Sequence, residues 1–324
     1  MFANANQVQL AAADNQSVSP LVTIVIPTYN RARDLARALE SVRCQSLVDW
    51  ETIVVDNHSS DDTDAVVSGC HDARIRLLKI HNNGVIASSR NLGLQYARGC
   101  YVAFLDSDDW WLADKLAKSV RALEAGADVV YHDAWLVNGA GQSRFRRLAK
   151  TWPLVEPVFT DLIARGNALI NSTVVVKREL LQRIEGQSEQ PELVAIEDYD
   201  TWIRLAQLGA RFVRLPQVLA YYRGGCGISS NPQRLLENSN AISERYRATF
   251  DLVQKSPGGC WLELARGEAK LRLGDRKGAI QSLWPYLGSR APWRWQVRAL
   301  LLLLRSLMRS PTKNSMHIAL GGKR

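Results

Sequence analysis

The sequence predicts an α/β fold in which helices flank a mostly parallel sheet, with a small α-helical segment at the C-terminal end. Three observations predict it. Short β-branched apolar runs alternate with segments whose apolar residues recur every three or four positions, several of those runs end in acidic loops, and from about Asn238 onward the pattern is helical throughout. At 324 residues the chain has room for a domain of roughly 220 residues and a smaller helical appendage.

Residues 21–26 form a short apolar run stopped by Pro27, as a buried parallel strand meeting its loop should. Leu35, Leu39 and Val42 then share one face of a helix over residues 31–46, and residues 51–55 supply the next strand, completing a βαβ unit. The alternation continues with a strand at 75–80, a helix at 85–98, a strand at 101–105, a helix at about 113–125 and a strand at 128–137. Residues 144–157 are basic and punctuated by proline, and 187–192 read as an exposed loop. Residues 264–283 space Ala265, Ala269, Leu273, Gly274, Ala279 and Leu283 much as one tetratricopeptide-type hairpin does. The final helix, about 295–308, interleaves Arg294, Arg298, Arg305 and Arg309 with leucines and tryptophans, a composition suited to a membrane surface or to packing against the main domain.

An apolar content of 46% lets such a chain bury a proper core, which excludes wholesale disorder. The five cysteines form no CxxC pair and share no metal-ligand rhythm with the histidines; the odd count leaves at least one unpaired, and a reducing, cytoplasmic setting is expected. Residues 1–20 are polar and lack the charged start and apolar run of a secretory signal, so they read as a mobile tail. No run approaches the roughly 18–20 apolar residues of a membrane span, the nearest being closed by Arg305, and the chain is not expected to cross a bilayer. The net charge of +9 is uneven: residues 234–324 hold 17 Lys or Arg against 6 Asp or Glu, leaving the rest near −2. The expected organisation is therefore a tail at 1–20, an α/β domain at 21–233 and a basic helical region at 234–324.

In open α/β sheets, ligands bind outside the carboxyl ends of the strands. There the chain carries Pro27-Thr28-Tyr29-Asn30, Asp56-Asn57 and Asp106-Ser107-Asp108-Asp109. Asp106 and Asp108 place hard oxygens at one loop, which suits magnesium or manganese completing its shell with water and substrate phosphates. The same tripeptide also occurs as an ordinary acidic turn, with Asp109 capping the next helix. Asp56 is placed to accept from a base N–H or a ribose hydroxyl, or else shapes its turn, while Ser59-Ser60-Asp61-Asp62-Thr63 reads as capping material for a short helix. Arg90 offers a guanidinium to phosphate at the sheet's edge, or a salt bridge. Glu197-Asp198-Tyr199-Asp200 opens a helix whose apolar face holds Trp202, Leu205 and Ala206. Acids there suit the helix dipole, and Asp198 or Glu197 also suits a base that takes a proton from an attacking hydroxyl.

Taken in order, PTYNRARDLARALESV, WETIVVDNHSSDDT, NNGVIASSRNLGLQYARG, YVAFLDSDDWW and EDYDTWIRLA resemble the family 2 glycosyltransferases of the GT-A fold. The resemblance covers about residues 21–225, and nothing comparable covers 235–324. It implies a Rossmann-like GT-A sheet and a metal-dependent, inverting transfer of sugar from a nucleotide-sugar, expected to be a UDP-sugar, to an acceptor hydroxyl. It further implies that Pro27, Thr28 and Tyr29 line the nucleotide pocket, that Asp56 reads the base and that Arg90 lies near the phosphates. Asp106 and Asp108 take the DxD role on Mn2+ or Mg2+, with Asp106 and Ser107 against the donor, and Asp198 supplies the base with Glu197 as the alternative. Ser88-Ser89 departs from the small alanines usual before this arginine, at nearly the same size. The implied setting is bacterial cell-envelope polysaccharide or lipopolysaccharide synthesis, with a saccharide or lipid-linked saccharide as acceptor.

Other classes fit less well. A dinucleotide oxidoreductase or a P-loop NTPase needs a glycine-rich phosphate turn after the first strand, where this chain has PTYNR. A nucleotidyltransferase also uses carboxylates and metal after a strand, but releases pyrophosphate rather than a nucleoside diphosphate. A catalytically silent nucleotide-sugar-binding scaffold is opposed by intact Asp106, Asp108 and Asp198. The basic C-terminal helices suit peripheral contact with anionic lipid on the inner face of the plasma membrane better than nucleic acid, given a lipid-linked acceptor.

Overall fold

Four strands form where the sequence predicts them. In the computed structural model, which describes residues 19–137, 147–224, 231–255, 260–288 and 292–308, β1 (Val22–Thr28), β2 (Trp50–Asp56), β3 (Ile75–Lys79) and β4 (Tyr101–Phe104) are parallel in the order β3-β2-β1-β4. β1 and β2 are buried along their whole length and so need no polar alternation, whereas β3 is only partly buried. The connecting helices are α1 (Ala32–Arg43), α2 (Thr63–Ser68) and α3 (Ile86–Gln95). Boundaries shift from expectation by up to about three residues, and two of the shifts have a visible cause. β1 runs through Pro27 to Thr28, because β4 has already ended opposite Val25 and no ladder bond from residue 27 is needed on that side. α3 stops at Gln95 rather than residue 98: buried Glu51 accepts from Arg98 N and Nε, and Gly99 N donates to Thr23 Oγ1 so closely that a Cβ there would lie 2.5 Å from Thr23 N.

The second half holds β5 (Trp110–Trp111), α4 (Lys115–Glu124), β6 (Val129–Val137), β7 (Arg147–Ala149), α5 (Val158–Arg165), β8 (Val175–Lys177), α6 (Arg178–Arg183), α7 (Glu197–Gln207) and β9 (Phe212–Arg223). The sheet continues β4-β8-β6-β9-β5, with β7 on β6. β8 runs antiparallel to both its neighbours, β6 and β9 are parallel, and β5 and β7 are antiparallel to their partners. The parallel reading therefore holds for the first four strands and gives way to a mixed sheet beyond them. Strands of two or three residues carry too little pattern to be seen in sequence, and β9 contains Pro216 and pairs irregularly around His132 and Asp133.

Alternation along β1 divides the core. Ile24 and Ile26 pack with Leu35, Leu39 and Leu116 from α1 and α4, whereas Val25 faces Phe104, Leu162 from α5 and Trp202 from α7. Lys115 is a discordant member of this interior: it is fully buried, its Nζ has no hydrogen-bond partner and lies 3.8 Å from the Trp111 ring centroid, and burial pushes its pKa well below the ordinary lysine value. Lys115→Met should raise stability by about 1–3 kcal/mol in urea denaturation at neutral pH. A destabilised variant would show that the ammonium has a positive structural role.

The C-terminal region comprises α8 (Pro232–Arg245), α9 (Arg247–Lys255), α10 (Trp261–Arg272), α11 (Arg276–Leu283) and α12 (Trp293–Met308). Asn231 caps α8 by accepting from Gln233 N and Arg234 N. The hairpin read at 264–283 is α10 and α11, which cross so closely that a Cβ at Gly267 would lie 2.5 Å from Leu283 Cγ. α8, α9 and the residue between them add Ile242, Phe250 and Tyr246 to the core that holds Trp202, while Leu264, Leu283, Tyr286, Ala299, Leu302 and Leu303 form a separate small core. Among the described residues no helix is long and apolar enough to cross a membrane. The expected tail at 1–20, save its last two residues, lies outside the described residues, as do 138–146 and everything after 308.

Candidate active site

β1, β2 and β4 end at the same edge of the sheet, and the loops that follow them bond to one another. Thr28 is buried with Oγ1 unpartnered, next to Pro27 in the last turn of the strand, and Tyr29 is 56% exposed. Ser59 Oγ accepts from Asn30 N, and Asn30 Oδ1 accepts from Ser60 N. Asp61 accepts from Ala32 N at the start of α1 as well as from Thr63 N and Oγ1, so the residues expected to cap only α2 also hold the preceding helix. Asp56 is fully buried and accepts from Ser59 N and Oγ, with Lys79 Nζ 3.9 Å away.

After β4 the chain makes a tight turn in which Asp109 N donates to Asp106 O at 2.9 Å. Ser107 is buried, and Asp106 N donates to Ser172 Oγ at 3.0 Å. Asp106 Oδ1 accepts from Arg90 Nη2 at 2.7 Å and from Asn171 Nδ2 at 3.2 Å, while Asp108 Oδ2 pairs with Arg31 Nη1 at 3.0 Å. Burial, then the charge of Asp106, raises the Asp108 pKa above the usual carboxylate value. Asp109 does not cap α4: it is buried, its Oδ1 accepts from Arg223 N at 2.8 Å, and it thereby ties the turn to the end of β9.

Arg90 is 3% exposed and joins two distant parts of the chain. Its Nη1 donates to Glu197 Oε1 at 2.6 Å and to Gln187 Oε1 at 3.2 Å, while Nη2 serves Asp106. Burial opposes the charge, yet Asp106 and Glu197 outweigh it and hold the guanidinium above the ordinary arginine range. Glu197 Oε2 accepts from Ala195 N. The next residue, Asp198, accepts from Tyr199 N at 2.7 Å and from Asn167 Nδ2 at 3.2 Å; burial, then the charge of Glu197, pushes its carboxyl up to about 7.

Packing explains why these acids meet. Phe104, two residues before Asp106, lies against Trp202 of α7 with ring centroids 6.4 Å apart, and Tyr199 donates its hydroxyl to Leu162 O at 2.7 Å. The apolar face of α7 thus fixes where its first turn points. Asp200, in the same acidic run, turns to the opposite purpose: it pairs with Arg204 and Arg245 and accepts from the Tyr246 hydroxyl, tying α7 to the junction of α8 and α9.

Several residues of this constellation escaped sequence reasoning. Asn167, Asn171, Gln187 and Arg31 touch it only through tertiary structure. Tyr222 on β9 is the most informative: burial, then the charges of Asp109, Asp106, Asp198 and Asp108, raise its hydroxyl pKa.

Chemically, two stations result, joined by one buried arginine. At the first, Asp106 and Asp108 repel across a short turn, and among the described residues no group of three or more His, Cys, Asp or Glu is arranged to hold a metal. That donor set fits magnesium or manganese, which binds through one or two carboxylates and takes its other ligands from water and phosphate. At the second, Asp198 has a pKa matched to accepting a proton near neutral pH.

The chain matches the profile of the family described as Glycosyl transferase family 2 over residues 23–181. It is 30% identical over 258 residues to the putative teichuronic acid biosynthesis glycosyltransferase TuaG of Bacillus subtilis, covering 78% of this chain and 98% of that protein. It is 41% identical over 186 residues to the UDP-Glc:alpha-D-GlcNAc-diphosphoundecaprenol beta-1,3-glucosyltransferase WfgD of Escherichia coli, covering 57% and 69% of the two chains. In fold it is similar to the mannosyltransferase PcManGT from Pyrobaculum calidifontis, solved in complex with GDP-Man and Mn2+, with a TM-score of 0.59, 19% identity and coverage of 92% and 90%. It is likewise similar to residues 1–349 of S. aureus TarS, with a TM-score of 0.54, 20% identity and coverage of 88% of each chain.

Proposed function

The chain belongs to the family 2 glycosyltransferases, and from that premise we propose that it moves a sugar, with inversion, from a UDP-sugar onto a hydroxyl of a saccharide or lipid-linked saccharide in bacterial cell-envelope polysaccharide synthesis. The observation that carries the reading is the Arg90 bridge, which joins the Asp106 turn to the Glu197-Asp198 turn, Arg90 reaching Glu197 across 107 residues of sequence. The name of the Escherichia coli relative supports a UDP-sugar donor and a diphosphate-lipid acceptor.

Asp106 and Asp108 would hold Mn2+ or Mg2+, which when bound neutralises charge on the diphosphate as it leaves. Thr28 offers an unpartnered buried hydroxyl beside Tyr29 for the nucleoside, with Pro27 shaping the strand end, and Asp56 lies behind them to receive the base. Ser107 keeps the turn closed against the donor. Asp198 takes the proton of the acceptor hydroxyl, while the Arg90 guanidinium pairs with Glu197 and leaves Asp198 as the carboxylate that reacts. One displacement then completes transfer, with no covalent sugar intermediate.

The test is donor binding and release of nucleoside diphosphate across a panel of nucleotide sugars, with manganese, magnesium or chelator. Metal-dependent binding of one donor is expected, weakened more than about tenfold in Asp108→Ala. Failure to bind any donor with either metal would sink the transferase mechanism, and release of pyrophosphate would move the chain to nucleotidyl transfer.

A further inference from the structure

α12 packs with one face only. Ala299, Leu302 and Leu303 are buried against Leu264, Leu283 and Tyr286, yet Trp293 (68%), Val297 (46%), Leu300 (46%), Leu301 (54%) and Leu304 (44%) stand exposed. At the helical repeat these five fall within an arc of about 100° on the side away from the small core. Arg294, Arg298 and Arg305 are all exposed along one edge of that arc. Trp284, 64% exposed, lies on the short helical turn that packs beside α12. The sequence stays basic past the helix, with Arg309, Lys313, Lys323 and Arg324 and no acidic residue in 309–324.

We propose that this face of α12 docks on an anionic lipid bilayer, lying in the plane of the interface with its apolar stripe among the acyl chains and its arginine edge on the headgroups. A stripe of tryptophan, valine and leucine bordered by arginine is the amphipathic pattern that partitions to such interfaces. Charge decides between the two occupants an apolar face can take. A second copy docked about a two-fold axis would set the same arginine-edged patch against itself, whereas an anionic surface attracts Arg294 and Arg305, Arg298 being paired with Glu268. The inference takes its purpose from the proposed lipid-linked acceptor: a transferase held at the membrane meets an acceptor confined there.

The test uses the full chain and co-sedimentation with vesicles of phosphatidylglycerol and phosphatidylethanolamine, against vesicles of phosphatidylcholine alone. Binding to the anionic vesicles is expected, weakened by salt and lowered about fivefold by Arg305→Glu or Arg294→Glu. The double substitution Leu301→Glu/Leu304→Glu should abolish it while leaving donor hydrolysis in vesicle-free solution unchanged. Hydrolysis measured that way tests the transferase reading on its own, so the two can fail separately. Equal binding to both vesicle types, or full binding by the leucine variant, would overturn the proposal. So would light scattering that shows a dimer dissolved by those same substitutions, which would assign the face to a second copy.

Discussion

Asp198→Asn should lower the rate of sugar transfer by about 10²- to 10⁴-fold while donor binding stays close to that of the unsubstituted chain. The amide is nearly the size of the carboxylate and can still accept from Tyr199 N, so the first turn of α7 keeps its geometry and only the proton acceptor is lost. The pH dependence supplies an independent readout. With the Asp198 carboxyl pushed up to about 7, the base is protonated below that pH, so transfer should rise through about pH 7. Because the folded pKa lies above the unfolded value, stability is greatest on the acid side and is lost as pH rises toward 7. The asparagine variant lacks this loss, so urea denaturation should find it at least as stable as the parent above pH 7. Retained transfer in Asp198→Asn would move the base elsewhere, with Glu197 next in line.

The second large effect concerns Arg90. Removing it as Arg90→Ala leaves Glu197 buried beside Asp106 with no guanidinium between them, and breaking a buried pair from one side costs about 3–5 kcal/mol. Urea denaturation should register that loss together with a fall in transfer. Arg90→Lys should restore little, because a single ammonium cannot reproduce a fork whose Nη1 serves Glu197 and Gln187 while Nη2 serves Asp106. The contrary outcome is specific: if Arg90 acted only as a phosphate contact, substitution would weaken donor binding and leave the denaturation midpoint where it was.

These expectations show where the sequence was sufficient. Strands β1, β2 and β4 were legible because burial on both faces leaves an apolar run, β3 because it falls in the same alternation with helices, and α1, α4 and the α10–α11 hairpin because their apolar residues keep a helical step. The acidic turn after β4 and the acids before Trp202 were legible for the same reason: each directly adjoins an element whose pattern is local. β9 was not, since proline and an irregular register interrupt its alternation, and with it went Tyr222 and the hold of Arg223 on Asp109.

By itself, then, the sequence determined the parallel half of the sheet, the edge at which its polar loops gather and the identity of the acids on offer, all of which follow from patterns a few residues long. Only the tertiary structure decided which of those acids meet and in what state. Arg90 reaches Glu197 across 107 residues because Phe104 packs on Trp202, Asp200 leaves the site for Arg245 and Tyr246, and Asp198 acquires its raised pKa from burial beside Glu197. A side chain's partners and its exposure to water are set by the packing of elements far apart in the chain, and that packing leaves no local trace.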